Sequence, residues 1–416
     1  MVGTLPMELS HLTRLHFVDL NRNSIQGSIP QEYSNLERMA FFDLRYNQVT
    51  GTIPIWIGGA WTELTEFALS NNNMTGSLPE SMRYLQKLQS LSLAQNLFSS
   101  TLENLVGLSS LQFLYLENNR FTGNVDGGFL SDMTKLVQVD VSSNQLEGNN
   151  IPMHLFQYPL LQVLDLGDNN LMGKIPVDMV ENTVLQFLSL SDNILTGSLP
   201  QSISQLKALE HLDITGNDMT GEIPTSLSMM ESLTYLFLSE NPFTEGPIPE
   251  FLSEMDPLKE LSLSRTQRNG TLSSDWLTGL RELVLLDLSW NKLTGTIPST
   301  IWQHPNLQYL LLNRNKLNGD FPPGVSETML NVLLLDKNDI TGDMKAACNY
   351  NVEYISVDCE EITCDCCKCC SDGNERCNVG IWDFNGEFSW EQNYTRVTYA
   401  FSPELLDNPD PSGRHR

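Results

Sequence analysis

The sequence predicts a solenoid of stacked short strands with one concave parallel sheet, closed at its C-terminal end by a small cysteine-rich cap. Three observations carry that expectation. The pattern L-x-x-L-x-L-x-x-N-x-L-x-G-x-I-P recurs along the chain. Its asparagine returns every 23 to 25 residues, and all eight cysteines crowd between Cys348 and Cys377. A period of this length marks a repeat architecture, in which each unit buries its apolar face only against its neighbours.

Two segments show the pattern in full, Leu209 to Pro224 and Leu283 to Pro298. The asparagine stands at Asn23, Asn47, Asn72, Asn96, Asn119, Asn144, Asn169, Asn193, Asn217, Asn241, Asn291, Asn315 and Asn338, with Thr266 in the one gap, which makes fourteen repeats. In L-x-L the two leucines point one way and the residue between them the other, the alternation of a strand. Stacking pairs these strands in parallel and joins their apolar faces into one core. The asparagine follows the strand where the chain turns inward, and its amide can satisfy backbone groups that the turn would bury unpaired. Thr266 has less hydrogen-bonding capacity, so the eleventh repeat is expected to be irregular. The glycine four residues after the asparagine fits a left-handed turn. The Ile-Pro that follows opens an expected extended segment on an outer edge.

This repeat unit resembles the plant-type extracellular leucine-rich repeat family, whose members include receptor-kinase ectodomains, receptor-like proteins and polygalacturonase inhibitors. The resemblance covers about residues 1–346 and implies a right-handed leucine-rich repeat solenoid of the α/β repeat class, mostly β and irregular. The segment 347–377 is similar to the cysteine-rich ending of leucine-rich repeat proteins from diatoms, and residues 378–416 form the remaining part. Two departures stand out. The chain opens on Gly3-Thr-Leu-Pro6, the end of a repeat, without the family's N-terminal cysteine cap, so a fragment or a misassigned start is expected. No signal peptide, membrane span or kinase domain is visible.

With 51 acidic and 24 basic residues the formal charge is −27, which disfavours nucleic acid and anionic membrane surfaces and favours basic partners. The variable strand residues point to the concave face, where a ligand would lie. One column holds Phe17, Phe41, Phe113, Phe187, His211, Tyr235 and Tyr309, and Tyr46, Tyr115, Phe237, Trp290 and Leu311 lie beside it. Aromatic side chains anchor many recognition surfaces, although they also favour strands. Between the third and tenth repeats this face has no lysine or arginine. It has Glu66, Glu117, Asp140, Asp165, Asp168, Asp192, Glu210, Asp213 and Glu240, of which Asp140, Asp165 and Asp213 belong to the common L-D-L and read as scaffold. His211, near Asp192 and Asp213, is expected to be at most a pH-sensitive contact. The expected binding set is therefore Tyr46, Phe113, Tyr115, Glu117, Asp168, Phe187, Asp192, His211, Tyr235, Phe237, Trp290 and Tyr309.

No catalytic constellation, phosphate loop or zinc-protease helix is present, so neither enzymatic activity nor a cofactor is expected. Cys348, Cys359, Cys364, Cys366, Cys367, Cys369, Cys370 and Cys377 read as a disulfide framework, because zinc prefers pairs set a dozen or more residues apart. Adjacent cysteines such as Cys366 and Cys367 are expected to take different partners. Asn73, Asn269 and Asn393 stand in glycosylation triplets. Asn385-Gly predicts a β-hairpin after the cap, and the last residues would suit a stalk toward a membrane anchor outside this chain. The expected function is non-catalytic recognition of a peptide, protein or glycan outside the cell or at its surface. The alternatives are an inhibitor of a cell-wall polysaccharide hydrolase and a structural or adhesive coat protein.

Overall fold

The computed structural model describes residues 1–369 apart from 126–127, 323–328, 346, 350–351 and 353. The chain divides into two compact units. The first comprises Met1–Pro257 with Arg265–Gln267, and the second comprises Leu258–Ser264 with the chain from Arg268 onward. The expected hairpin, Cys370, Cys377 and Asn393 lie outside the described residues.

Each unit is a stack of repeats on a main parallel sheet. In the first, ten three-residue strands follow one another in chain order from Phe17–Asp19 to Tyr235–Phe237. Register is strict, so that Phe113, Gln138, Val163, Phe187, His211 and Tyr235 lie directly across from one another in turn. The central residue of each strand is buried, and Phe67, Leu114 and Leu188 wholly so. In the second unit the sheet runs from Glu260–Ser262 through Val332–Leu334 into the cysteine-rich segment, where Tyr354–Val357 and Lys368–Cys369 add two more strands. Tyr354-Ile-Ser-Val keeps the alternation of a repeat strand without its leucines.

The turn after each strand rests on the asparagine, as expected. The Asn193 Nδ2 donates to the carbonyls of Leu166 (3.0 Å) and Ser191 (2.9 Å), and its Oδ1 accepts from the Leu171 N–H at 2.9 Å. Asn47, Asn72, Asn96, Asn217 and Asn315 repeat the pattern. The residue before the asparagine takes left-handed backbone in repeat after repeat, at Tyr46, Asp168, Asp192 and Trp290 among others. The eleventh repeat is irregular, also as expected. Arg265 and Gln267 on either side of Thr266 are both left-handed, and in the preceding tenth repeat the Phe243 N–H turns back to the Asn241 carbonyl at 2.9 Å.

Two features differ from the sequence expectation. The Ile-Pro segment is not a long extended stretch. The proline is extended, but it caps a turn of 3-10 helix, as at Gln31–Asn35, Gln201–Gln205 and Ser299–Gln303. A residue with no N–H and a fixed φ loses nothing at a helix start. The segment after the asparagine, read from sequence as a turn, forms a second set of short parallel strands, in the first unit two sheets of five strands each. Ser24–Gly27, Gln48–Gly51 and Asn73–Gly76 belong to the first of these.

Glycine closes these second-sheet strands for a steric reason. At Gly173 the backbone is left-handed (φ +84°), and a Cβ there would lie 1.5 Å from the Asn149 carbonyl oxygen, an atom that cannot move aside alone. Gly173→Ala is expected to destabilise by about 3 kcal/mol. Chemical denaturation followed by circular dichroism would show it as a lower midpoint.

Among the described residues six cysteines are bridged, Cys348 to Cys366, Cys359 to Cys369 and Cys364 to Cys367. The adjacent Cys366 and Cys367 thus take different partners. The sulfurs of Cys348, Cys364 and Cys366 gather within 4.8 Å of one another, but each is already oxidised into a bridge.

Candidate ligand-binding face

The outward positions of the main sheets place the predicted binding residues, and they fall into three groups. Tyr46, Asp168 and Asp192 are exposed, and Phe113, Tyr235, Trp290 and Tyr309 are half-buried. The left-handed turn throws Tyr46, Asp168, Asp192 and Trp290 clear of the strand. Two of the aromatic rings carry a cation. The Arg22 guanidinium lies 5.1 Å from the Tyr46 ring in the first unit, and that of Arg314 lies 4.0 Å from the Trp290 ring in the second.

Phe187, His211 and Phe237 form the second group, and the structure corrects their reading as contact residues. They are 7%, 4% and 1% exposed, too little to meet a ligand. The His211 ring stacks on Phe187 at 4.3 Å and lies 5.8 Å from Tyr235 and 5.4 Å from Phe237. Burial pushes it down to about 3, so it is neutral near neutral pH. It is an aromatic member of the sheet's cover and not a pH-sensitive contact.

The third group is acidic and lies in the first unit. The Asp140, Asp165 and Asp213 Oδ1 atoms accept from the N–H two residues on, at Ser142 (3.0 Å), Gly167 (2.9 Å) and Thr215 (2.8 Å). This is the scaffold role expected of them. Asp140 and Asp165 also stand directly opposite each other on adjacent strands. Glu117 sits beside them, half-buried, with an Oε2 that is closed off from solvent and has no hydrogen-bond partner. Burial, with Asp140 and Asp165 adding repulsion, holds the Glu117 carboxyl well above its usual range. Asp165 is held high by burial and by Asp140. Tyr115 donates to Gln138 Oε1 at 2.5 Å, and burial with the charges of Glu117 and Asp140 raises its hydroxyl too. Asp192 is raised by burial, Asp168 and Glu240.

Sequence reasoning had singled out Glu117 but set aside its partners Asp140 and Asp165. The signal that finds them is the residue two places after each aspartate. In the second repeat that residue is Arg45, and in the sixth and seventh it is Ser142 and Gly167.

Of the glycosylation triplets, Asn73 is exposed on a second-sheet strand and Asn269 is half-buried on another. Among the described residues no helix is long and apolar enough to cross a membrane.

Comparison with known proteins agrees with this geometry. The profile described as leucine-rich repeat region matches residues 141–314, and leucine-rich repeat profiles match 62–121 and 306–327. A leucine-rich repeat protein of Leptospira interrogans has a solved structure that is 31% identical, with a TM-score of 0.66 over 82% of this chain and 84% of that one. The chain belongs to the leucine-rich repeat family. Within that family its repeats are of the plant extracellular type. Receptor like protein 24 of Arabidopsis thaliana is 32% identical over 327 residues, which is 66% of this leucine-rich repeat chain and 37% of the relative. The Arabidopsis HAESA receptor kinase ectodomain, solved in complex with an IDA peptide hormone, is 29% identical with a TM-score of 0.71, covering 89% of this chain and 65% of that one. The leucine-rich repeat chain thus spans little more than a third of the length of its curated receptor-like relative.

Proposed function

We propose that this chain is a ligand-binding, non-catalytic part of a receptor-like ectodomain, acting outside the cell or at its surface. Its ligand is a peptide or protein that lies on the outward face of a main sheet. The observation that carries the reading is the contrast between positions. Repeat after repeat restates the buried apolar strand residues and, except at Thr266, the asparagine, whereas the outward positions differ from repeat to repeat and expose Tyr46, Asp168 and Asp192. A scaffold held constant beneath a varied surface is what recognition requires. Similarity to ectodomains solved with bound peptide hormones supports it.

The test is to select peptide ligands against the secreted chain and map the bound complex by hydrogen exchange. Protection is expected on main-sheet strands, and Trp290→Ala or Tyr46→Ala should weaken binding by about tenfold where the footprint includes that ring. Protection confined to the second sheet or the 3-10 turns would overturn the reading.

A further inference from the structure

On the main sheet of the second unit the outward residues form an apolar patch. Leu285, Tyr309 and Val332 lie directly across from one another on successive strands, and Leu311 and Leu334 pair beside them. The leucines between them, Leu286, Leu310 and Leu333, point the other way into the core. A contiguous apolar cluster on a sheet face marks an interaction surface. Yet Leu285, Leu311, Val332 and Leu334 are only 1–2% exposed. Neighbours in one sheet press on a leucine from the sides and leave its tip open, so burial this deep calls for a second layer. The described elements of this unit are the main sheet, the second-sheet strands and the helical turns, and none of them supplies that layer.

The chain carries a segment suited to the place. The main sheet ends on Lys368–Cys369, and from that edge the sequence continues to Arg416, outside the described residues. At about 4.8 Å per strand the patch begins roughly 10 Å from that edge and ends roughly 20 Å from it. Residues 370–382 can reach roughly 40 Å when extended. Beyond them Trp382, Phe384, Phe388 and Trp390 stand at even spacing, so an extended run turns all four rings to one side. A hairpin at Asn385-Gly would instead split them between two faces.

We propose that residues 381–390 lie along this patch as a built-in occupant of the main-sheet face, which a ligand has to displace. Arg314 and Lys337 border the patch at the turns that end two of its strands, and the segment's polar residues Asp383 and Glu387 are acidic, so charge assists the seat. A second copy of the chain fits less well, because two bodies of net charge −27 repel. Where the segment sits follows from the patch alone. What it competes with rests on the ligand-binding reading above.

The test uses the full chain with the photoreactive residue p-benzoylphenylalanine in place of Trp382 and, in a second protein, in place of Trp390. After irradiation, mass spectrometry of the digested monomer should find both positions linked to peptides that hold Leu285–Asp287, Tyr309–Leu311 or Val332–Leu334 of the same chain. Leu311→Asp with Leu334→Asp puts charge beneath the rings and should cut those links about fivefold. Leu97→Asp, at an exposed position of the first unit, should leave them unchanged. Trp382→Ser with Trp390→Ser leaves the sheet untouched, and peptides selected against that variant should bind it about tenfold more tightly than they bind the wild type. Links from one position only, links to the second-sheet strands, or links between two chains would overturn the seat. Equal affinity for a peptide whose footprint lies on the patch would overturn it too. If the links hold while selected peptides protect another face, the receptor reading fails and the seat stands.

Discussion

Asn193→Ala is expected to cost on the order of 3–5 kcal/mol of stability, although the residue touches no ligand. The estimate follows from what the amide leaves behind. The Leu171 N–H loses the acceptor that it meets at 2.9 Å, and the Leu166 and Leu190 carbonyls lose a donor. The turn is too deep for water to replace these bonds, and each orphaned group costs about 1–3 kcal/mol. Asn193→Asp keeps the acceptor but turns a charge toward carbonyl oxygens, so it should be no milder. Asn170→Ala, an exposed asparagine in the neighbouring repeat, should stay within about 0.5 kcal/mol. Urea unfolding monitored by circular dichroism measures all three. Equal losses at Asn193 and Asn170 would show that the ladder of asparagines is decorative.

Lowering the pH from 8 to 6.5 is expected to stabilise the protein, contrary to the usual behaviour of paired carboxylates. Burial pushes Glu260 up to about 8 against the partial relief of Lys259, and pushes Glu66 up to about 7. Each has an ordinary value of 4.5 when unfolded. The folded state therefore holds more protons than the unfolded state between those limits. The stabilising contribution is complete below about 4.5 and is lost as pH rises through 7 and 8. Histidine works the other way. His211, held at about 3 in the fold and 6.5 outside it, favours the fold above pH 6.5 and opposes it below. Between pH 8 and 6.5 the opposing histidine effect only begins, so the carboxyls dominate that window. Glu260→Gln should flatten that slope and raise stability at pH 8 by on the order of 2 kcal/mol. Melting temperatures of the two proteins at pH 8 and 6.5 decide the matter, and a wild type that gains stability on going to pH 8 would refute it.

What could be read from sequence was whatever each repeat restates. The buried leucines, the asparagines and the disturbance at Thr266 recur or fail at fixed spacing, so position alone reveals them. The second sheet was illegible because Ser24-Ile-Gln-Gly27 in isolation is a turn ending in glycine, and it becomes a strand only when the next repeat lies alongside. Burial on the outward face was hidden for a related reason. Whether His211 is a contact or a filler depends on Phe187 and Tyr235, one repeat away on either side. Asp140 and Asp165 serve the scaffold through Oδ1, as their place in L-D-L implies, and only the stacking of repeats shows that they stand opposite each other.

The asparagine of each repeat reaches no farther than the repeat before it, as Asn193 reaches Leu166 and Leu171. A chain held this way has no long-range lock against traction. Tension on a terminus should peel coils singly, each releasing 23 to 25 residues, or roughly 80 Å of slack. A chain so built yields in small steps under tension, and the coils still folded keep their shape while the outermost one gives way.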